Sequence, residues 1–308
     1  MATGKSLSAL SSPHVHTQFC DGNSTAEAMV HSALERGFVS LGFSSHAKQD
    51  MHQEYSLNEA REPLYIQEIR RLQREYAGHL RIWLGVERDL ISTAKRENFE
   101  YVIGAVHYVI SPEGDKLPVD ASAQLIRDII LHCYHGDGLR FAREYFHSYG
   151  AYIRDYKPDI IAHFDLINKY NNDGSLFDTS DRHYVKASAE AMDNAIKGCA
   201  MMEVNVGGIV RAGTKEPYPS LPLLRYWQAI GGQVILSSDC HLAEQLDSGY
   251  EVGLAHIRAA GYKKPPFWGG KMNCLNGKNW VNPPAVRAVQ PDGHCARQSG
   301  PLAAGFAA

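Results

Sequence analysis

The chain has 308 residues, with 31 basic against 34 acidic side chains and a net charge of −3. A hydrophobic content of 44% excludes a disordered chain, and the length is ample for one large core. The charge balance gives no footing for a nucleic-acid binder, and no apolar run approaches the ~18–20 residues of a membrane span.

The opening MATGKSLSAL is too short and polar for a secretory signal. Six scattered cysteines form no CxxC pair and read as free thiols. Both features point to a reducing cytoplasm. His14-Val15-His16 then opens the ordered chain as an extended segment. Thr25 to Arg36 reads as a helix, with Gly37 in the place of a helix C-terminal glycine. Phe38 to Phe43 is a strand, Ser56 to Tyr76 a long helix, and Leu80 to Val86 the next strand. Tyr101 to Val106 is a strand followed by helices within 121–156, then a short buried strand, Ile160 to Ala162. Tyr184 to Ile196 is helical, Met201 to Asn205 a strand, Leu221 to Ile230 a helix and Val234 to Ser237 a strand. A helix over Ala243 to Ala260 closes the series. Strand–helix alternation means parallel strands joined by crossover helices. About seven such units suggest a barrel, with an open doubly wound sheet as the competitor. Neither GxGxxG nor GxxxxGK[ST] occurs, and Gly207-Gly208 reads as an isolated turn. After Lys271 prolines and glycines cluster and periodicity is lost. The expected organisation is a barrel domain over 1–270 and an irregular, poorly packed tail over 271–308.

The residues able to do chemistry stand where the predicted strands end. His14 and His16, two apart in extended chain, share a face and can reach one metal ion. Asp21 follows in a polar loop. His46, Glu87, His107 and His163 each end a strand, and Asp239 and His241 end the last one. Alone, each could be a helix cap or a satisfied core polar group. Together they converge on the mouth where parallel α/β folds place their sites. Nine such groups would repel or stay unsatisfied without cations among them. They are too many for one tetrahedral zinc and suit two or three divalent ions, with zinc, manganese or iron as candidates.

The ordered set of motifs makes the chain recognisable. It comprises His14-Val15-His16-Thr17, Phe19-Cys20-Asp21-Gly22, Ser45-His46-Ala47 and Gly85-Val86-Glu87. Val106-His107, Ala162-His163-Phe164-Asp165-Leu166-Ile167, Glu203-Val204-Asn205 and Ser238-Asp239-Cys240-His241 complete it. Over roughly residues 12–270 the sequence resembles the polymerase-and-histidinol-phosphatase (PHP) family, most closely its histidinol-phosphatase branch. The resemblance implies a distorted seven-stranded (βα)7 TIM-like barrel and a metal-dependent phosphoesterase. Where the family carries acidic residues near its first and second ligand motifs, this chain has Ser12 and Ser45.

Position by position, the resemblance implies three ions. His14, His16, Glu87 and Asp239 would hold the first. Glu87, His107 and His163 would hold the second, with Glu87 bridging, and Asp21, His46 and His241 the third. Arg211, after the glycine pair, corresponds to a phosphate-binding arginine, and Lys169 to another basic position of the branch. The expected reaction is hydrolysis of L-histidinol phosphate to L-histidinol and phosphate, a step of histidine biosynthesis. Asp239, His46 and Glu87 would serve catalysis, with His46 or a bound water protonating the leaving alkoxide. Another phosphomonoester, or nucleic-acid ends, is the alternative substrate class. The expected partner is a small molecule, with neither nucleic acid nor membrane involved.

Overall fold

The computed structural model describes residues 10–263 apart from 52 and 112. The expected tail over 271–308 lies outside the described residues. Among the described residues nine strands and eight α-helices follow in chain order. The first part runs β1 (Leu10–Ser12), α1 (Ala26–Glu35), β2 (Phe38–Phe43), α2 (Arg61–Glu75), β3 (Arg81–Asp89) and β4 (Tyr101–Ala105). Then come β5 (Tyr108–Ile110), β6 (Lys116–Pro118), α3 (Ala123–Cys133), α4 (Gly138–Tyr156) and β7 (Ile160–Ile161). The last part is α5 (Arg182–Ala195), β8 (Met201–Asn205), α6 (Gly207–Ala212), α7 (Leu221–Ala229), β9 (Gln233–Ser237) and α8 (Tyr250–Ala259).

Seven strands form one sheet in the order β1-β2-β3-β4-β7-β8-β9, and every pairing in it is parallel. The sheet curls until its first and last edges nearly meet. Just past β1 and β9, the His16 N–H donates to the Cys240 carbonyl at 2.8 Å, and Val15 pairs with Cys240. The barrel is therefore nearly closed, as the alternation of elements and the family resemblance suggest. Tyr101 plugs its interior and donates its hydroxyl to the Phe43 carbonyl at 3.1 Å. Only glycine fits at 85, because a Cβ there would lie 2.2 Å from the Tyr101 ring.

Helices start where side-chain oxygens cap free backbone N–H groups: Thr25 before α1, Ser122 before α3, Asp137 before α4 and Asp181 before α5. The buried face of α4 contributes tyrosines that brace the sheet. Tyr149 donates to the Gly104 and Ala162 carbonyls, and Tyr145 to the Phe164 carbonyl. These bonds fix the ends of β4 and β7, where His107 and His163 begin.

The structure departs from the sequence reading in four places. Helix α2 starts at Arg61, since residues 56–60 turn and the Asn58 side chain accepts from Ala60 and Arg61 N–H. The expected 243–260 helix is a short turn at 243–245, a break at Gly249 with φ +79°, and then α8. The glycine pair 207–208 opens helix α6. An antiparallel hairpin, β5–β6, follows β4 where none was expected.

Candidate metal centre

All nine expected ligands meet at the C-terminal mouth of the barrel. His14 and His16 are fully buried, and their Nε2 atoms face each other at 3.0 Å. Their other nitrogens are already engaged. His14 Nδ1 meets Glu203 Oε2 at 2.8 Å, while His16 Nδ1 lies 3.4 Å from both the Cys20 sulfur and Asp21 Oδ1. A neutral imidazole donating from Nδ1 presents a lone pair at Nε2. Two lone pairs thus point at one another, with Asp239 Oδ1 3.3–3.6 Å from both.

Glu87 stands at the centre with 1% exposure, and its two oxygens face different histidines. Oε2 lies 3.4 Å from Nε2 of both His14 and His16 and 2.9 Å from His46 Nδ1. Oε1 lies 2.9 Å from His163 Nε2 and 3.6 Å from His107 Nε2. A third gathering surrounds Asp21, whose Oδ2 is 3.1 Å from His241 Nε2 and 3.6 Å from His46 Nε2.

Three overlapping groups have the spacing of metal ligands: His14, His16 and Asp239; His46, Glu87 and His107; and His16, Asp21, His46 and His241. His16 and His46 each belong to two of them. A neutral imidazole has one lone pair and serves one ion, whereas a carboxylate can serve two. Among the described residues, Glu87 Oε2 and Asp21 Oδ1 are buried without a partner in hydrogen-bonding geometry. Buried carboxylate oxygens left over among imidazole lone pairs are a donor set that fits divalent cations. Protons are the alternative occupants. Burial opposes charge on His14, yet Glu203, Asp239 and Glu87 outweigh it and raise its pKa to about 10. Cations would displace those protons, so binding should release them.

Backbone geometry aims several of these groups. Glu87 and Asp89 sit two apart on β3 and share its inner face. Asp89 Oδ2 accepts from the His107 backbone and lies 3.0 Å from His107 Nδ1. Glu203 meets the His14 ring at Nδ1, and also accepts from the His163 N–H at 2.7 Å and the Ser237 hydroxyl. These two carboxylates fix imidazole tautomers, a role the sequence reading did not give them. Their signal was their place, one inner-face position away from Glu87 and Asn205. Asp239 adopts φ +49°, rare for a residue with a Cβ, and it splits its oxygens: Oδ1 toward the histidines, Oδ2 toward Arg211. Ser12 and Ser45, where the family is acidic, bond to Ser238 and Thr17 hydroxyls.

Beside the ligands lies a cavity of about 470 Å³, within the usual size for small-molecule sites. Arg211 lines it from α6, donating from Nη2 to Asp239 Oδ2 at 2.6 Å. Its helix sits close because Gly207 and Gly208 carry no side chain. A Cβ on Gly208 would fall 2.5 Å from the Tyr218 ring. Lys169 lines the cavity too, but its amino group is engaged on Asp120, at 2.9 Å from the carbonyl and 3.2 Å from Oδ2. No helix among the described residues is long and apolar enough to cross a membrane.

Compared with known protein families, residues 12–206 match the PHP domain. The chain belongs to the PHP domain family. It is 27% identical over 277 residues to a Schizosaccharomyces pombe protein named "Probable histidinol-phosphatase", covering 81% of this chain and 86% of that one. It is 25% identical over 263 residues to the histidinol-phosphatase of Bacillus subtilis, covering 78% of this chain and 97% of that one. The fold is similar to that of a histidinol phosphate phosphatase from Lactococcus lactis, solved with zinc, L-histidinol and phosphate. That similarity has a TM-score of 0.59 at 21% identity and covers 83% of this chain and 95% of the other.

Proposed function

We infer that this PHP-family chain is a histidinol-phosphatase, a metal-dependent phosphomonoesterase that hydrolyses L-histidinol phosphate to L-histidinol and phosphate. Relatives of that name match it over most of both lengths. The observation that carries the chemistry is Glu87, with one oxygen turned to His14, His16 and His46 and the other to His107 and His163. This is the geometry of a carboxylate shared between two cations.

In this reading His14, His16, Glu87 and Asp239 hold one ion, and Glu87, His107 and His163 a second. Asp21, His46 and His241 hold a third. The zinc of the Lactococcus lactis complex supports zinc as one occupant, beside manganese and iron. Divalent ions there would lower the pKa of water and offset charge on the phosphoryl oxygens. The chain's own groups do the rest. Arg211 meets the phosphate with its planar fork while Asp239 holds it in place. Asp89 and Glu203 keep His107 and His14 in the tautomers that present Nε2. His46, 15% exposed in its side chain at the cavity wall, or a bound water returns a proton to the leaving alkoxide in this reading.

The test is Glu87→Ala, assayed for metal by mass spectrometry and for phosphate release from L-histidinol phosphate beside other phosphomonoesters. One side chain serves two ions, so the variant should lose at least one equivalent of metal and turnover by roughly a thousandfold or more. Full metal content with near-normal turnover would refute the assignment. Wild-type preference for another phosphomonoester, or cleavage of single-stranded DNA ends, would move the substrate class.

A further inference from the structure

One cavity carboxylate lies outside the three ligand groups, and the fold takes trouble to hold it there. Asp120 follows β6, whose hairpin pairs Tyr108 with Pro118 and returns the chain so that the Val119 N–H donates to the His107 carbonyl at 2.9 Å. The segment after β7 then clamps it. Lys169 Nζ donates to the Asp120 carbonyl and to Oδ2, and the Tyr170 hydroxyl donates to the carbonyls of Asp120 and Ala121. The carboxylate lines the cavity with its side chain 28% exposed, and no hydrogen bond reaches its Oδ1 among the described residues.

A second group in the same cavity wants a partner. Tyr218 is 4% exposed and lines the cavity, yet its hydroxyl is buried with no hydrogen bond among the described residues. Its backbone is held at the end of β8 by two hydrogen bonds with Asn205, at 2.8 and 3.0 Å. A buried hydroxyl kept without a partner is unfavourable unless a ligand meets it. The cavity is thus bipolar. Arg211 offers positive charge beside Asp239, and Asp120 offers negative charge beside His107.

Asp120 would repel a phosphate, so its use is for the other end of the substrate. On the functional reading above, that end is an amino alcohol whose primary amine is protonated at neutral pH. We propose that Asp120 Oδ1 receives the ammonium group of the leaving alcohol, with the Tyr218 hydroxyl hydrogen-bonded to the same moiety. Lys169 is then a positioning residue that aims the carboxylate.

The experiment compares L-histidinol phosphate with its desamino analogue, 3-(imidazol-4-yl)propyl phosphate, on the metal-loaded enzyme. Wild type should favour the amine-bearing substrate in kcat/KM. In Asp120→Asn that preference should fall about tenfold or more, mostly through KM, the loss of one charge-assisted contact. Inhibition by L-histidinol should weaken in parallel, while inhibition by inorganic phosphate should hold. Tyr218→Phe, which keeps the ring, should weaken L-histidinol inhibition by several-fold. A preference ratio unchanged within twofold in Asp120→Asn, whether both rates fall or neither does, would overturn the proposal. Wild-type enzyme that releases phosphate from neither compound but from another phosphomonoester would instead overturn the functional reading beneath it.

Discussion

Arg211 lines the cavity while holding Asp239, so one side chain could meet an anion and order a ligand at once. Its Nη2 donates to Asp239 Oδ2 at 2.6 Å, and Nη1 lies 3.2 Å from His241 Nε2. The guanidinium therefore rests on two residues of the ligand set and faces the cavity between them. A phosphate monoester carries close to two negative charges at neutral pH, and a planar fork answers that better than a point charge. Arg211→Ala should lower kcat/KM for L-histidinol phosphate by about ten- to a hundredfold, the loss of one charge-assisted contact. Arg211→Lys should fall between the two. Metal analysis of both variants decides whether the arginine acts on the phosphate: content should stay near wild type, because Asp239 keeps Asn205 as a second hydrogen-bond donor. Loss of metal in Arg211→Ala would make it a support for Asp239.

At the scale of elements, the site depends on how closely α6 can approach the segment that carries Thr214 and Tyr218. Gly208→Ala would drive a methyl into the Tyr218 ring and the Thr214 hydroxyl, so the helix must shift. Crowding of this kind typically costs about 1–3 kcal/mol. The expected outcome is a lower melting temperature together with a raised KM, since Arg211 and Tyr218 move together. A variant with unchanged KM would separate the helix from the site. This pair also shows what the sequence hid. Two adjacent glycines signal a turn on local propensity, and only the crowding of Asp239 and Tyr218 explains a helix there. The β5–β6 hairpin was hidden for another reason: strands of three residues leave no period to detect. Asp120, which the hairpin carries, was lost with it. Most of the nine ligands were legible because strand ends can be read from apolar runs: His14, His107, His163 and Asp239 sit two residues beyond a strand, His46 three, and Glu87 near the end of β3. Asp89 and Glu203 lie within strands, where a carboxylate looks like any other inward polar group until its histidine is seen.

Over the whole molecule, cations should act as a clasp. The ligand set draws His14 and His16 from the exit of β1, and Asp239 and His241 from the exit of β9. Those are the two edges that the barrel brings together, and backbone bonds from His16 to the Cys240 carbonyl and from Asn23 to the His241 carbonyl cross between them. Removal of metal takes away both the binding free energy and the neutralisation of buried carboxylates. For ions held about a thousandfold above Kd, chelation should lower the melting temperature by on the order of 10 °C. Amide exchange should rise first near Val15 and Cys240. Uniform exchange across the barrel after chelation would show that the seam holds without its ions.

That seam also sets a clock on synthesis. The histidine pair at 14 and 16 leaves the ribosome long before its partners at 239 and 241 exist. At about 5–20 residues per second the gap is roughly ten seconds or more. During that interval the first strand has β2 on one side and no neighbour on the other. A growing chain can assemble the Glu87, His107 and His163 gathering once β7 is out, but the first and third gatherings wait for the final strand. Ion loading should therefore be ordered in time, with the middle of the barrel filled before its ends are joined.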